Sequence, residues 1–238
     1  MNPLAAAADR GLVIQLSDIT KTFNAGKLNE FQALKGIDLE VALNEVSVFI
    51  GPSGSGKTTL LSILGCMSRP TSGRIWLNER EITSLPERFA AQTRRETFGF
   101  IFQNYNLIKG ITVLENTMLP AYPRGIKYRV IRDRAVALLE KLEIGSKARE
   151  PVEHLSGGEQ QRAAIARALV NSPSIIIADE PTAHLDSALA LRLLDIFAAF
   201  KQEGKTILIA CHDPLVFESA VVDRVISMRD GRIVENDH

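Results

Sequence analysis

Apolar residues follow two patterns along the chain. Short runs of consecutive apolar residues, bounded by polar or glycine positions, predict strands, and apolar residues three or four positions apart predict helices. Predicted strands lie at 13–16, 39–41, 46–50, 73–78, 98–102, 174–178, 206–211 and 224–228. Predicted helices lie at 57–66, 131–142, 159–171 and 187–202. Strands that alternate with helices indicate an α/β fold whose mainly parallel sheet is covered on both faces.

The middle third of the chain differs from the rest. From about residue 105 to 171 the pattern is mostly helical, which predicts a helical insertion into the sheet domain. Strand patterns then return, and Asp230-Gly231 predicts a final hairpin turn.

Composition and charge narrow the class of protein. The chain has 238 residues with 28 Lys+Arg and 28 Asp+Glu, a balance that argues against a general nucleic-acid binder. Only two cysteines occur, which excludes a disulfide scaffold. The N-terminal residues lack the basic region of a signal peptide. The longest stretch without formal charge, 97–108, is shorter than the roughly 20 residues of a membrane helix, so we expect any membrane role to go through a partner.

A phosphate-binding loop follows the strand at 46–50. Residues 51–59 read GPSGSGKTT and contain G-x-x-x-x-G-K-[ST] between a strand and a helix, the context that the motif requires. Its glycines would turn N–H groups toward an anion, Lys57 would reach the β- and γ-phosphates, and Thr58 would bind Mg²⁺. Thr59 would lie near the α-phosphate. A plain strand-to-helix turn is the alternative, and the flanking elements disfavour it.

Polar side chains follow three other predicted strands. Asp179 ends one strand, which we expect to lie next to the loop's strand, and would hold Mg²⁺. Glu180 would activate water as a general base, and His212 would contact the γ-phosphate. Gln103 is a neutral amide that would touch Mg²⁺ or the water. Solvated acids and a surface histidine are the alternatives, which the phosphate loop makes less favourable.

A second anion site occurs at Leu155 to Arg162, LSGGEQQR. Ser156 is a good N-cap, Gly157 and Gly158 free backbone N–H groups, and a helix is expected to start at Glu159. Ser156 lies 99 positions after Lys57 (156 − 57), and one nucleotide rarely needs two helix N-termini from one small domain.

Together these segments resemble the ATP-binding cassette (ABC) ATPases. The resemblance covers nearly the whole chain through GPSGSGKTT (Walker A), Gln103 (Q-loop), LSGGEQQR (signature), IIIADE (Walker B), AHLD at Ala183 to Asp186 (D-loop) and His212 (switch histidine). It implies a single P-loop NTPase domain over 1–238, with a RecA-like core, an N-terminal antiparallel β subdomain and a helical subdomain at about 104–171. RecA-like motors and helicases lack the signature.

The resemblance also implies the site. The implied catalytic residues are Glu180, His212, Lys57 and Gln103, and the implied Mg²⁺ ligands are Thr58, Gln103 and Asp179. The implied ATP contacts are Phe23, which would stack on adenine, with Gly51, Pro52, Ser53, Gly54, Ser55, Gly56, Lys57, Thr58, Thr59, Ser156, Gly157, Gly158 and Gln160. The signature residues would contact ATP held by the second copy in a head-to-tail homodimer, and Gln103 would be the hinge that senses a membrane partner.

A finer resemblance is to the lipoprotein-releasing (Lol), macrolide-export (MacB) and cell-division (FtsE) ATPases. It is carried by GFIFQNYNLIKGITVLENTMLP, SGGEQQR-AAIARAL and IIIADEPTAHLDS. It implies a peripheral subunit on the cytoplasmic face of a bacterial inner membrane, with a four-helix permease as partner. The alternative is an FtsE-like regulator of a cell-wall enzyme that transports nothing. Substrate specificity would lie in the partner.

Some residues depart from the subfamily pattern. They are His184, Cys211 before the switch histidine, and Asn44-Glu45 before the Walker A strand. None removes a catalytic group, so we expect an active ATPase. Two further features stay open: Phe102, Tyr105, Leu107, Ile108 and Ile111 would either grip the permease or pack in the core, and Arg124 to Arg134 would either meet anionic groups or form a solvated helix face.

Overall fold

Two β-sheets form the framework of the computed structural model, which describes residues 11–183 and 185–234. The strands are β1 Leu12–Phe23, β2 Phe31–Ala42, β3 Val46–Ile50, β4 Ser72–Leu77, β5 Arg80–Glu81, β6 Phe98–Ile101, β7 Ile175–Asp179, β8 Thr206–Ala210, β9 Arg224–Arg229 and β10 Arg232–Val234. The larger sheet has the order β10-β9-β3-β8-β7-β6, with only β10 antiparallel. The smaller sheet is antiparallel with the order β2-β1-β4-β5.

Seven α-helices connect and cover these sheets within the described residues. They are α1 Lys57–Leu64, α2 Glu87–Thr97, α3 Val113–Met118, α4 Tyr128–Lys141, α5 Gly157–Leu169, α6 Ser187–Gln202 and α7 Pro214–Phe217. Short 3₁₀ helices lie at Leu119–Arg124, Gly145–Lys147 and Val152–His154. The segment between β6 and β7 contains helices and no strand among its described residues, as the sequence predicts for the middle third. The subdomain bounds at about 104 and 171 stay a prediction.

The central strands are apolar on both sides because both faces of the parallel sheet are covered. On one face Val46 and Val48 of β3 pack in a cluster with residues of α5 and α6, including Phe197. On the other face Phe49 packs in a cluster with α1 and the antiparallel sheet. A third, smaller cluster joins the helices of the middle segment around Met118. Each face of the sheet therefore has its own buried core.

Several predicted elements differ in extent from those in the structure. β1 and β2 are each 12 residues long, whereas the sequence predicts only 13–16 and 39–41, because register shifts in this pair interrupt the alternation. Helix α2 is absent from the prediction because Ala90 is its one buried residue and no apolar face marks it. Helix α5 starts at Gly157 rather than Glu159.

Candidate nucleotide-binding site

The loop at residues 51–56 joins β3 to α1, and its glycines are required by geometry. Gly51 has φ +146°, and a Cβ there would lie 2.1 Å from the carbonyl oxygen of Met228 in β9. Gly56, the N-cap of α1, has φ +103°, and a Cβ there would lie 2.8 Å from the carbonyl oxygen of Ala33 in β2. No side chain caps α1 and no acid lies in its first turn, so its first N–H groups remain available to an anion.

The C-terminal hairpin and β2 hold this loop. Gly231, in the turn between β9 and β10, donates its N–H to the carbonyl of Ser55 at 3.1 Å. Gly231 also accepts the Lys35 N–H of β2 at 2.8 Å. The two sheets therefore meet at the phosphate loop, and the predicted Asp230-Gly231 turn is one of its supports.

Lys57 and Thr58, the first two residues of α1, lie on the inner side of the loop. Lys57 is 7% exposed, and its Nζ donates to the carbonyls of Gly51 at 2.7 Å and Pro52 at 3.2 Å. The Thr58 hydroxyl donates to Oδ1 of Asp179 at 3.1 Å. Burial raises the pKa of the Asp179 carboxyl above its ordinary value, and the Thr58 hydrogen bond partly offsets this effect.

The strand order corrects one expectation. The sequence predicts β7, which ends at Asp179, next to β3, but β8 lies between the two strands. Thr58 still reaches Asp179 because α1 begins above the carboxyl ends of these parallel strands, where loops from separate strands converge. The order of the strands along the chain does not indicate that β8 lies between β3 and β7.

Glu180 and His212 form a pair at the same edge of the sheet. Glu180 has φ +47°, a left-handed conformation that is uncommon for a non-glycine residue, and its N–H donates to the carbonyl of Ala210 at 2.8 Å. Nδ1 of His212 lies 2.9 Å from Oε2 of Glu180. The Glu180 side chain is 15% exposed and the His212 side chain 71%, so the histidine covers the carboxylate from the solvent side.

A cavity of about 310 Å³ brings most of the predicted residues together. It is lined by Phe31, Ala33, Ser53, Gly54, Ser55, Gly56, Lys57, Thr58, Thr59, Gln103, Glu180 and His212. Backbone donors, a lysine and a carboxylate–histidine pair thus face one space. An anion bound at the loop would lie within reach of a group able to take a proton from water.

Phe31 and Ala33 are the lining residues that the sequence did not predict. Phe31, which is 56% exposed, is the cross-strand partner of Phe23, which is 42% exposed. Phe23, the predicted adenine contact, is not among the lining residues. The Lys21 Nζ lies over its ring, 5.1 Å from the ring centroid. No local sequence pattern marks Phe31, because its place at the cavity follows from the pairing of β2 with β1.

The signature residues lie outside this cavity. Ser156, Gly157, Gly158 and Gln160 are not among its lining residues. Ser156 caps α5 in a capping box, in which its N–H donates to Oε2 of Glu159 at 2.8 Å and its hydroxyl accepts the Glu159 N–H at 3.4 Å. The Ser156 N–H and the Ser156 hydroxyl, which donates to the same Oε2 at 2.8 Å, lower the pKa of the Glu159 carboxyl. The predicted second anion site is therefore not part of this chain's own nucleotide cavity.

The structure shows the contacts made at two of the positions that depart from the subfamily pattern. Cys211 is fully buried, and its Sγ accepts the Asp213 N–H at 3.2 Å, so it helps to shape the turn that carries His212. Asn44 and Glu45 precede β3 and contact β8: the Asn44 N–H donates to the Thr206 hydroxyl at 2.9 Å, and the Glu45 carbonyl accepts the Ile207 N–H at 2.9 Å. His184 lies outside the described residues.

Hard oxygen donors for Mg²⁺ are present at the cavity. The Thr58 hydroxyl and the Asp179 carboxylate are within hydrogen-bond distance of each other, and the Gln103 side chain lines the same space. Across residues 11–183 and 185–234, no three His, Cys, Asp or Glu side chains are grouped as a metal site. One hydroxyl and one carboxylate fit an Mg²⁺ ion that takes its other ligands from phosphates and water.

Comparison with known proteins identifies the family. Residues 34–183 match the ABC transporter family. The chain is 41% identical over 222 residues to an uncharacterized ABC transporter ATP-binding protein of Thermotoga maritima, covering 93% of both chains. It is 42% identical over 224 residues to the macrolide export ATP-binding/permease protein MacB of Hyphomonas neptunium, covering 94% of this chain and 34% of MacB. The chain thus spans about a third of the length of these MacB relatives.

Solved structures of ABC cassettes are similar as well. The dimeric structure of MJ0796, a bacterial ABC transporter cassette, superposes with a TM-score of 0.85 at 36% identity, covering 93% of this chain and 97% of that one. A post-hydrolysis structure of MJ0796 bound to ADP and Pi gives the same values. Family, fold and loop geometry agree: the chain belongs to the ABC transporter family and is an ATP-binding cassette that hydrolyses ATP.

Proposed function

We propose that this chain is the ATPase subunit of a membrane complex in which two copies close head to tail over ATP and drive a permease of the MacB/Lol type. The observation that carries the proposal is the separation between the two anion sites. Lys57 lines the nucleotide cavity, whereas Ser156 and Gly157 begin α5 outside it. A second copy that presents its α5 to this cavity supplies the missing wall. The dimeric structure of the relative MJ0796 supports this arrangement.

Within each site the chain's own residues divide the chemistry. Lys57 and the N–H groups of the loop bind and orient the β- and γ-phosphates. Glu180 takes a proton from water as the water oxygen bonds to the γ-phosphorus, while the bond from that phosphorus to the bridging oxygen breaks and ADP leaves. His212, 2.9 Å from the Glu180 carboxylate, holds it in position. Thr58 and Asp179 would hold Mg²⁺, which when bound neutralises charge on the phosphate oxygens.

A groove between the core and the helical segment is the proposed permease contact. It has a volume of about 250 Å³ and combines apolar and cationic side chains: Met67, Arg94, Arg95, Phe98, Gly99, Phe100, Phe102, Pro120, Arg167, Ala168 and Asn171. Phe102 belongs to this groove and the neighbouring Ile108 is 52% exposed, whereas Leu107 packs against the core. A short amphipathic helix fits such a groove.

This arrangement would put the chain on the cytoplasmic face of a bacterial inner membrane as a peripheral subunit. No helix in the described ranges has the length and apolar character needed to span a bilayer. Attachment would therefore depend on the permease. The names of the MacB relatives, which combine ATP-binding and permease functions, support this type of partner.

The variant Glu180→Gln tests the dimer. Loss of a general base lowers turnover by about 10²- to 10⁴-fold, and ATP binding persists because the loop is unchanged. We expect Glu180→Gln to sediment as a dimer with ATP and Mg²⁺ and as a monomer without them. Glu140→Gln, the same chemical change on an exposed face of α4, should keep normal turnover. A monomeric Glu180→Gln chain in saturating ATP would contradict the head-to-tail proposal.

Affinity purification tests the partner. Tagged Glu180→Gln with ATP and Mg²⁺ should recover a four-helix permease with a large extracytoplasmic domain from solubilised membranes. Met67→Glu, which puts a charge into the groove where Met67 is 50% exposed, should lose the permease and keep its ATPase activity. Recovery of a six-helix channel permease would overturn the MacB/Lol assignment.

A further inference from the structure

The loop that follows β6 carries Gln103 into the nucleotide cavity and then enters the helical segment. Two residues just beyond Gln103 are left-handed: Tyr105 has φ +58° and Asn106 has φ +50°. Left-handed backbone at consecutive non-glycine residues is unfavourable and persists only where surrounding contacts hold it. The contacts that hold this backbone therefore decide where Gln103 lies.

Arg167, in the last turn of α5, supplies two of those contacts, beside the hydrogen bonds that the Tyr105 and Asn106 N–H groups donate to the carbonyls of Phe102 and Asn104. Its Nη2 donates to the carbonyl oxygen of Tyr105 at 2.5 Å, and its Nη1 donates to that of Asn106. The guanidinium is half-buried, and its planar fork fits two adjacent acceptors in a way that an ammonium group does not. Both left-handed residues are thus held by one side chain of α5.

The next part of the loop is held as firmly from another helix. Asn116 of α3 is fully buried; its Oδ1 accepts the Ile108 N–H at 2.7 Å and its Nδ2 donates to the Ile108 carbonyl at 3.0 Å. Residues 105–108 are therefore held by α5 and α3, and Ile101 ends strand β6. Gln103 lies in the short stretch between these two anchored positions.

We infer that Arg167 is a positioning residue for ATP hydrolysis: it fixes the Gln103 loop to α5, so that Gln103 and the signature residues at the start of α5 move as one unit. This inference rests on the proposed function and on the expected role of Gln103, which would touch Mg²⁺ or the attacking water. Arg167 also lines the groove proposed for the permease. One side chain thus lines the proposed permease-binding groove of this chain and also holds the loop that enters the nucleotide cavity.

A double-mutant cycle with Gln103 tests the inference. Arg167→Met keeps an unbranched apolar stem and removes both hydrogen bonds. A misplacement of about 1 Å costs about 100-fold in rate, so we expect kcat to fall about 10- to 100-fold. The Kd for a fluorescent ATP analogue should stay within about twofold, because Lys57 and the phosphate loop are untouched. Arg167→Lys keeps the positive charge but lacks the planar guanidinium, so its kcat should lie between those of the wild type and Arg167→Met.

The cycle separates positioning from a general loss of structure. If Arg167 acts through Gln103, Arg167→Met adds no further loss of kcat to Gln103→Ala. Arg124→Met is the matched control, since Arg124 also donates to a carbonyl in this region, that of Asn171 at 3.1 Å, but does not hold the Gln103 loop. Because Arg124 is exposed and donates one hydrogen bond here, this variant should lower Tm less than Arg167→Met and leave kcat unchanged.

Three results would overturn the inference. They are multiplicative losses of kcat in the double variant, an equal loss of kcat in Arg124→Met, or a loss of ATP binding in Arg167→Met while its Tm stays normal. An inactive wild-type chain would instead count against the proposed function, so the two failures are distinguishable.

Discussion

Replacing Gly51 by alanine changes the phosphate loop by one methyl group. The new Cβ would lie 2.1 Å from the carbonyl oxygen of Met228 and 3.0 Å from the Ser55 hydroxyl. A carbon and a carbonyl oxygen approach no closer than about 3.3 Å even in favourable C–H···O contacts, so the two groups must separate by about 1.2 Å. Met228 is buried, pairs with Ile233 of β10, and directly follows Ser227, which pairs with Ile50 of β3. The loop will therefore move rather than the strand.

The size of the effect follows from this displacement. A 1 Å misplacement of bound groups costs about 100-fold in rate, which at 1.36 kcal/mol per tenfold is about 2.7 kcal/mol. In addition, φ +146° is a region that alanine rarely adopts, and such strain costs about 1–3 kcal/mol of folding stability. We expect kcat/KM for ATP to fall about 100-fold or more, and Tm to fall by roughly 2–4 °C for each kcal/mol of strain.

Steady-state ATPase assays and thermal melts measure both effects. The matched control is Gly204→Ala: Gly204 has φ +79° but no atom within 4 Å of the added Cβ, and it follows α6 far from the loop. It should lower Tm through backbone strain and leave kcat/KM unchanged. Wild-type kcat/KM in Gly51→Ala would refute the reasoning, because it would mean that the loop tolerates a displacement of more than 1 Å.

Two further predictions concern an aromatic side chain and a thiol. Phe31→Ala should weaken ATP binding about tenfold, since stacking on a base is worth about 1–3 kcal/mol, and leave the binding of inorganic tripolyphosphate unchanged in calorimetry. Equal weakening of both ligands would contradict a contact between Phe31 and the base. Burial raises the pKa of Cys66 to about 11, so at pH 8 the folded chain should be alkylated by iodoacetamide about 100-fold more slowly at Cys66 than the urea-unfolded chain, and the rate should keep rising above pH 9. A rate that levels off at pH 9 would contradict the raised pKa.

Local chemistry was the most predictable part of this molecule. The phosphate loop, the Glu180 position after β7 and the His212 position after β8 each depend on an apolar strand with glycine or polar residues at or just after its end, and this pattern is visible in a short stretch of sequence. The final hairpin was predictable for the same reason, because Asp230-Gly231 is a strong turn signal by itself.

Features that depend on packing between distant segments were not predictable. The position of β8 between β3 and β7 depends on the order in which strands pair, which no local pattern records. Phe31 was missed because it follows the polar residues Asn29 and Glu30, and only the pairing with β1 turns it toward the nucleotide cavity. The proposed role of Ser156 has the same limit, since it depends on a second copy of the chain.

The hairpin that supports the phosphate loop has a consequence for synthesis of the chain. Gly51 lies against Met228, and Ser55 is hydrogen-bonded to Gly231, which is made 180 residues after Gly51 (231 − 51). At about 5–20 residues per second, a ribosome needs roughly 10 to 40 s to cover that distance. Until this synthesis is complete, the Walker A residues lack the strand and the turn that they contact in the folded chain. We therefore expect a nascent chain to gain its full affinity for nucleotide only late in translation.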